Sequence, residues 1–411
     1  INVRLTETIH TNPTDQLSKL CHLAKNLYNL SNWYVRQDFF KLNNILNYYD
    51  LDYILKNKQA YRKLPSQTSQ QILKLVTRNW KSYFRAVKSY KVNYKKFKNK
   101  PRIPQYKKKN GESIVIFTNQ QCRIKEGYLN FPKRVNLKPM KTRIKKNLKE
   151  VRVIPLGIEY KIEMVYEKEE QDLWLNKGHI LSIDLGLTNL ITAVNNNGCK
   201  PFIIKGGIVK SINQYYNKQL AYFRRIEHKK GNFQDTKKIQ KLHLTRNNKI
   251  KTIFHRISKN VIEYCIHNDI GTIVIGYNNG WKQKINIGKK NNQNFVQLPL
   301  LKLVKQIEYK AQLNGISVLT IDEAYTSKCS FLDKESIEKH KKYKGRRIKR
   351  GLFKTSKGLK INADVNAAYN IMKKAFSNAI SVDGIEVFGL VPQIIQQNIA
   401  DNIICNKMSI N

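Results

Sequence analysis

Along the first hundred residues the apolar positions step by three and four rather than alternating. The opening NVRLTETIH alternates and predicts a short strand, and Asn12-Pro13-Thr14 then offers helix-start chemistry, with Pro13 suited to the first turn. Leu17, Leu20, Ala24, Leu27, Ser31 and Tyr34 lie on one side of an amphipathic helix. A second helix runs from about Ser69, with Ile72, Val76, Tyr83, Phe84 and Val87 on its buried side and Trp80 in the core. Period-two patterns follow in SIVIFTNQQCRIKEGYLNFP and EVRVIPLGIEYKIEMVYE, where Tyr160, Ile162, Met164 and Tyr166 alternate with more polar neighbours. They predict a small barrel or sheet, which the helices interrupt if the opening strand joins it.

From about Lys177 strands alternate with helices. HILSIDLGL and LITAVNNNG predict a hairpin, and residues 213–268 a basic helical stretch. The strand TIVIGYNNG, the helix LLKLVKQIEYKAQLNG, the strand ISVLTIDEA and a final helix from Asp364 to about Phe376 complete an α/β arrangement with a mixed sheet. There is no internal repeat.

Charge narrows the function. Against 76 Lys and Arg stand 29 Asp and Glu, a formal net charge of +47. Self-repulsion on that scale disfavours a compact state unless a polyanion neutralises it, so a nucleic acid is the expected partner. The connector KKFKNKPRIPQYKKKNG, beginning at Lys95, is dense in lysine, holds two prolines and no acid, and reads as an extended segment that touches phosphates. No long apolar span or signal-peptide pattern is present, so no membrane partner is expected. The expected location is cytoplasmic, nucleoid-associated in a bacterium or nuclear in a eukaryote. The opening Ile1 suggests that a few residues precede it. Six cysteines without a CxxC pair point to reduced thiols and against a structural zinc site.

Two acids stand in unusual contexts. In HILSID, Leu181 and Ile183 face one way while Ser182 and Asp184 face the other. An acid on an otherwise apolar strand is costly to bury unless paired or metal-bound. In INADVNAAYNIMKK, Asn362 or Asp364 can cap the helix, while Asn366, Ala367, Ala368 and Asn370 suit close packing on a sheet. Two such carboxylates in a strongly basic chain fit a site that holds Mg²⁺ for phosphodiester hydrolysis.

The combination IDLGLTNL, GWKQ, EAYTSK and NADVNAAYNI, with AKNLYNLSNWYVRQ and FKNKPRIPQY upstream, resembles the TnpB proteins of insertion sequences, relatives of Fanzor and of miniature type V CRISPR effectors. The resemblance implies an RNase H-like (RuvC) α/β nuclease domain over 175–376 and a wedge-like β-barrel from 1–13 and 96–174. It also implies a helical recognition insertion over 14–95, leaving 377–411 as a tail. It implies an RNA-guided DNA endonuclease, monomeric with its RNA, whose guide RNA comes from the transposon end and whose target is double-stranded DNA beside a short flanking motif. A two-metal Mg²⁺ site would use Asp184, Asp364 and a third acid.

That third acid belongs just after the strand that here reads TIVIGYNNGWK, and none stands there. Glu323, in IDEAYTSK, resembles the relocated glutamate of a family subset, with Asp322 as the alternative. The four-cysteine zinc ribbon common in the family is also absent: a basic loop, 338–360, replaces it, expected to be mobile about Gly345 and Gly351. Arg346, Arg347 and Arg350 of this loop, together with Lys282, Gln283, Thr326, Ser327 and Lys328, are the expected nucleic-acid contacts. A catalytically inactive RNA-guided DNA-binding regulator and a strand-transfer transposase are the competing functions.

Overall fold

The computed structural model describes residues 2–278, 298–380 and 390–395. The chain divides into two compact units, residues 2–168 and residue 169 onward.

In the first unit, β1 (Asn2–Thr11) is followed by α1 (Asp15–Leu42), α2 (Tyr48–Leu55), α3 (Gln59–Arg62) and α4 (Ser66–Val92) before the chain returns to strands. Thr14 caps α1 through its hydroxyl, so Pro13 lies just outside the helix rather than in its first turn. The short α2 opens on a capping box in which Asn47 and Asp50 satisfy each other's backbone donors. Seven strands make two sheets. β2 (Val115–Thr118), β6 (Leu148–Pro155) and β7 (Tyr160–Glu169) join β1 in the order β1-β7-β6-β2. β3 (Arg123–Lys125), β4 (Tyr128–Asn130) and β5 (Met140–Lys141) form a separate three-stranded sheet. Helices and sheets share one core, in which Leu17, Leu27, Trp80, Phe117, Val151 and Ile162 are buried.

The second unit is built on a six-stranded mixed sheet. β8 (Ile180–Leu185), β9 (Asn189–Asn195) and β10 (Phe202–Lys205) run antiparallel in turn, while β11 (Thr272–Gly276) lies parallel to β8, and β12 (Ser317–Ile321) parallel to β11. β16 (Gln393–Ile395) pairs with β10, giving the order β12-β11-β8-β9-β10-β16. Strand alternation sorts the two faces. Leu181 and Ile183 meet Phe254, Ile257 and Val261 of α6 (Lys237–His267) and Leu303 and Ile307 of α7 (Leu300–Leu313). Ile180 and Val274 meet Val365, Ala368 and Met372 of α8 (Ala363–Ala375) on the opposite face. α5 (Gly207–Lys229) precedes α6 and buries only Val209 and Asn213 of its own residues.

The basic interval 338–360 is not a loop. It contributes β13 (Arg346–Lys349), β14 (Leu352–Lys354) and the start of β15 (Lys360–Asn362), an antiparallel sheet closed over buried Phe353 and Ile361. Gly345 is packed rather than hinged, since a Cβ there would stand 2.4 Å from the Phe353 ring. Buried Glu335 accepts from the Ser330 and Lys344 amides and pins the base of this ribbon. Cys21, Cys122, Cys265 and Cys329 are buried free thiols, whereas Cys199 is disulfide-bonded, against the expectation of reduced thiols throughout. Among the described residues no helix is long and apolar enough to cross a membrane.

Candidate active site

The acids expected to act together arrive from three different elements. Asp184 is the fifth residue of β8, on the same face as Ser182, whose hydroxyl donates to the Ala368 carbonyl of α8 at 2.8 Å. That bond ties the strand to the helix that carries Asp364. Asn362 caps α8, accepting from the Asp364 and Val365 amides at 3.0 and 3.2 Å, so the cap does not use the Asp364 carboxylate, which lines the cleft.

Glu323 leaves the end of β12 and answers the missing acid of TIVIG. β11 and β12 run in register to Gly276 opposite Ile321, and the Glu323 amide donates to Asn278 Oδ1 at 3.0 Å. A Cβ at Gly276 would stand 2.5 Å from Ile371 Cδ1 of α8 and 3.4 Å from Glu323 Cβ. A side chain at 276 would have to displace the tip of Ile371, and Glu323 starts beside the point where an acid at 276 would start. Asp322 is exposed and its carboxylate closes a turn on the Ala324 amide.

Electrostatics tie the three together. The Asp184 carboxyl is pushed up to about 8, first by burial and then by the negative charges of Asp364 and Glu323, with Arg347 pulling the other way. Burial and neighbouring Asp322 raise Glu323. The arrangement stores repulsion that a cation relieves. Hard oxygen donors of this kind suit Mg²⁺. In this conformation the three are not gathered into a ligand cluster: among the described residues no three His, Cys, Asp or Glu are placed to hold a metal ion. Asp364 is itself engaged by two donors. Arg347 Nη2 donates to its Oδ1 at 2.7 Å and Asn189 Nδ2 to its Oδ2 at 2.6 Å.

The cleft that holds Asp184 and Asp364 is about 470 Å³ and is rimmed by cations: Arg347, Arg350 and Lys205. Arg350 donates to Thr188 Oγ1 at 2.7 Å, and Lys205 to Asn189 Oδ1 at 2.9 Å. Neither Asn189 nor Lys205 stood out in the sequence; the only signal was the Thr-Asn pair closing the turn after DLG. Of the expected nucleic-acid contacts, Arg347 and Arg350 line the cleft, and Arg346 is exposed on β13. Ser327 and Lys328 are exposed. Thr326 does not fit its expected role: it is buried and its hydroxyl donates to the Glu323 carbonyl at 2.8 Å, holding the turn that presents Glu323. Asn366 and Asn370 of α8 donate to the Cys329 carbonyl, and Asn370 also to that of Thr326, so α8 anchors the same turn. Lys282 and Gln283, with Trp281, lie outside the described residues.

Comparison with known proteins agrees in place and kind. Residues 163–282 match the family described as probable transposase (OrfB of IS605), and residues 302–371 the Cas12f1-like TNB domain. The chain is 30% identical over 236 residues to the CRISPR-associated endodeoxyribonuclease Cas12f2 of Micrarchaeota archaeon (strain CG1_02_47_40), covering 54% of this chain and 41% of that protein. It is 26% identical over 237 residues to the TnpB-like protein ORF457 of Acidianus two-tailed virus, covering 55% and 48%. The chain therefore spans about half the length of the curated relatives it matches. A solved Cas12f1–sgRNA–target DNA complex shares the fold, with a TM-score of 0.52 and 18% identity over 87% of this chain and 81% of that one. The two family matches lie in series along the chain, which is similar to both TnpB-like and Cas12f proteins.

Proposed function

We propose that the chain is a transposon-encoded, RNA-guided DNA endonuclease, which cleaves target DNA beside a short flanking motif by metal-dependent phosphodiester hydrolysis. The observation that carries this reading is the placement of Asp184 on β8, Asp364 in the first turn of α8 and Glu323 just past β12, with Asp184 raised by burial and by the charges of the other two. These three carboxylates would hold Mg²⁺, which supplies water activation and stabilisation of the leaving oxygen. Asp184 would bind such a cation as its carboxylate, the cation's charge offsetting the repulsion from its two neighbours. Arg347, Arg350 and Lys205 neutralise the phosphate that reaches the rim, and Asn189 keeps Asp364 oriented toward it. Base pairing to a guide RNA would select the strand, while the protein reads backbone shape and the flanking motif. One copy of the chain per RNA is the expected assembly.

The second reading, an inactive RNA-guided DNA binder, is favoured by Gly276 at the end of β11 and by the hold of Arg347 on Asp364. A direct test co-expresses the protein with its flanking transposon RNA and incubates the complex with a supercoiled target plasmid. Guide-dependent linearisation in Mg²⁺, abolished by chelator and by Asp184→Ala, is the expected result. Tight target binding with no cut at any Mg²⁺ concentration would establish the inactive binder, and joined strands would indicate a transposase.

A further inference from the structure

The connector after α4 has no regular structure from Phe97 to Lys107, yet from Pro104 to Lys109 it is held by α1. Four side chains on one face of α1 grip its backbone carbonyls: Lys25 bonds Lys109 at 2.5 Å, Asn29 bonds Lys107 at 2.9 Å, and Asn32 and Arg36 both bond Pro104 at 3.1 Å. Asn29 also accepts from the Lys107 amide at 2.9 Å. The spacing 25, 29, 32, 36 is that of one helical face. The connector is therefore a strap of fixed position.

Fixing the strap places Tyr106 over Arg36, with the guanidinium carbon 4.8 Å from the ring centroid. The same guanidinium lies 5.7 Å from the Phe40 ring. Trp33, Arg36 and Phe40 fall at i, i+3 and i+7, while the other side of α1 is in the core. Three large rings are thus left in solvent, with Trp33 45%, Phe40 61% and Tyr106 45% exposed. The same connector carries Lys95, Lys96, Lys98, Lys100 and Arg102, all exposed and without an ion pair among the described residues.

We propose that Trp33, Arg36, Phe40 and Tyr106 form a stacking platform for unpaired bases of RNA, whose phosphates the strap's lysines neutralise. The inference rests on the RNA-guided reading above. Aromatic faces beside a guanidinium plane accept any base, and a cationic track beside them follows a single-stranded backbone. RNA is the occupant because unpaired loop bases can be splayed onto side chains, whereas the bases of duplex DNA are already stacked.

The test measures binding of the full chain to a fluorescein-labelled 12-nucleotide oligo(U), to oligo(dT) and to a blunt RNA duplex, for wild type and for Trp33→Ala, Phe40→Ala, Tyr106→Ala and Trp33→Phe. Each alanine variant should weaken oligo(U) binding by about 5- to 100-fold, with duplex binding and the salt slope unchanged, since stacking releases no counterions. Trp33→Phe should keep most of the affinity. Photocrosslinking of wild type to 5-iodouridine RNA, read by mass spectrometry, should label Trp33, Phe40 or Tyr106, whatever the variants do. Unchanged oligo(U) affinity with crosslinks elsewhere overturns the platform and leaves the RNA-guided reading standing. Absence of any RNA binding overturns both. Loss confined to oligo(dT) overturns the choice of RNA. Altered self-association of the free protein with oligo(U) affinity intact would make the face a contact between copies of the chain and overturn the proposal.

Discussion

The strap at 95–111 and the ribbon at 338–362 have nearly the same composition and opposite structures. Both are crowded with lysine and arginine, and both read as loops. The strap stays extended because Pro101 and Pro104 remove ladder donors, and polar side chains of α1 take up its carbonyls instead. The ribbon folds into strands because Phe353 and Ile361 alternate out of the charged background and meet in one small core, with Gly351 at φ +89° making the β13–β14 turn. Charge density thus says what a segment binds and not how it folds. Their positions differ in consequence: the ribbon carries Arg347 to the Asp364 carboxylate, and the strap presents charge beside α1.

The largest effect should separate their folding. Phe353→Ala, in a fully buried position, is expected to destabilise the ribbon by about 3–5 kcal/mol, whereas Ile103→Ala in the half-buried strap should cost about 1 kcal/mol. Hydrogen exchange over residues 346–362 and 97–107 reads the two locally, and equal costs would erase the distinction. Next, Arg347→Ala should slow cleavage by a saturated ribonucleoprotein about 10²- to 10³-fold with target affinity intact. Lys98→Ala with Lys100→Ala should do the converse, lowering RNA affinity and the salt slope while the saturated rate holds. A smaller loss is expected for Asn32→Ala, which frees the buried Trp80 indole N–H as well as the strap, at about 1–3 kcal/mol. Faster limited proteolysis between residues 95 and 110 is its signature.

The smallest effect is a pH trend. Asp184 is raised in the folded chain to about 8, above the ordinary carboxyl value of the unfolded one. Between those values the folded state binds more protons, so the metal-free protein loses stability as pH rises toward 8. Asp184→Asn should remove that loss, raising Tm by a few degrees at pH 8 and by much less near pH 4. Thermal scans in chelator at both pH values check it; a gain of equal size at both would mean that the neighbouring charges are not its source.

Much of the second unit was legible in the sequence. The alternation in HILSID placed Ser182 and Asp184 together on one face, and the Ser182–Ala368 bond shows that this face meets α8. Other features were hidden for physical reasons. Asn189 and Lys205 are ordinary polar residues until the hairpin brings them to Asp364. Thr326 sits in a motif that invites a nucleic-acid role, but only tertiary packing reveals that its hydroxyl is already used. The choice between Asp322 and Glu323 needed the strand register and the space above Gly276, neither of which alternation alone supplies. The strap's grip depends on α1 polar residues some seventy or eighty positions away, beyond the reach of any local pattern.

The relocated acid is the central claim, and single-turnover cleavage of a guide-matched plasmid in Mg²⁺ by the Glu323→Gln and Asp322→Asn ribonucleoproteins tests it most directly. The account predicts that Glu323→Gln loses at least about 10³-fold in rate with target binding unchanged, and that Asp322→Asn stays within about threefold of wild type. Full activity in Glu323→Gln, or collapse in Asp322→Asn alone, would contradict it.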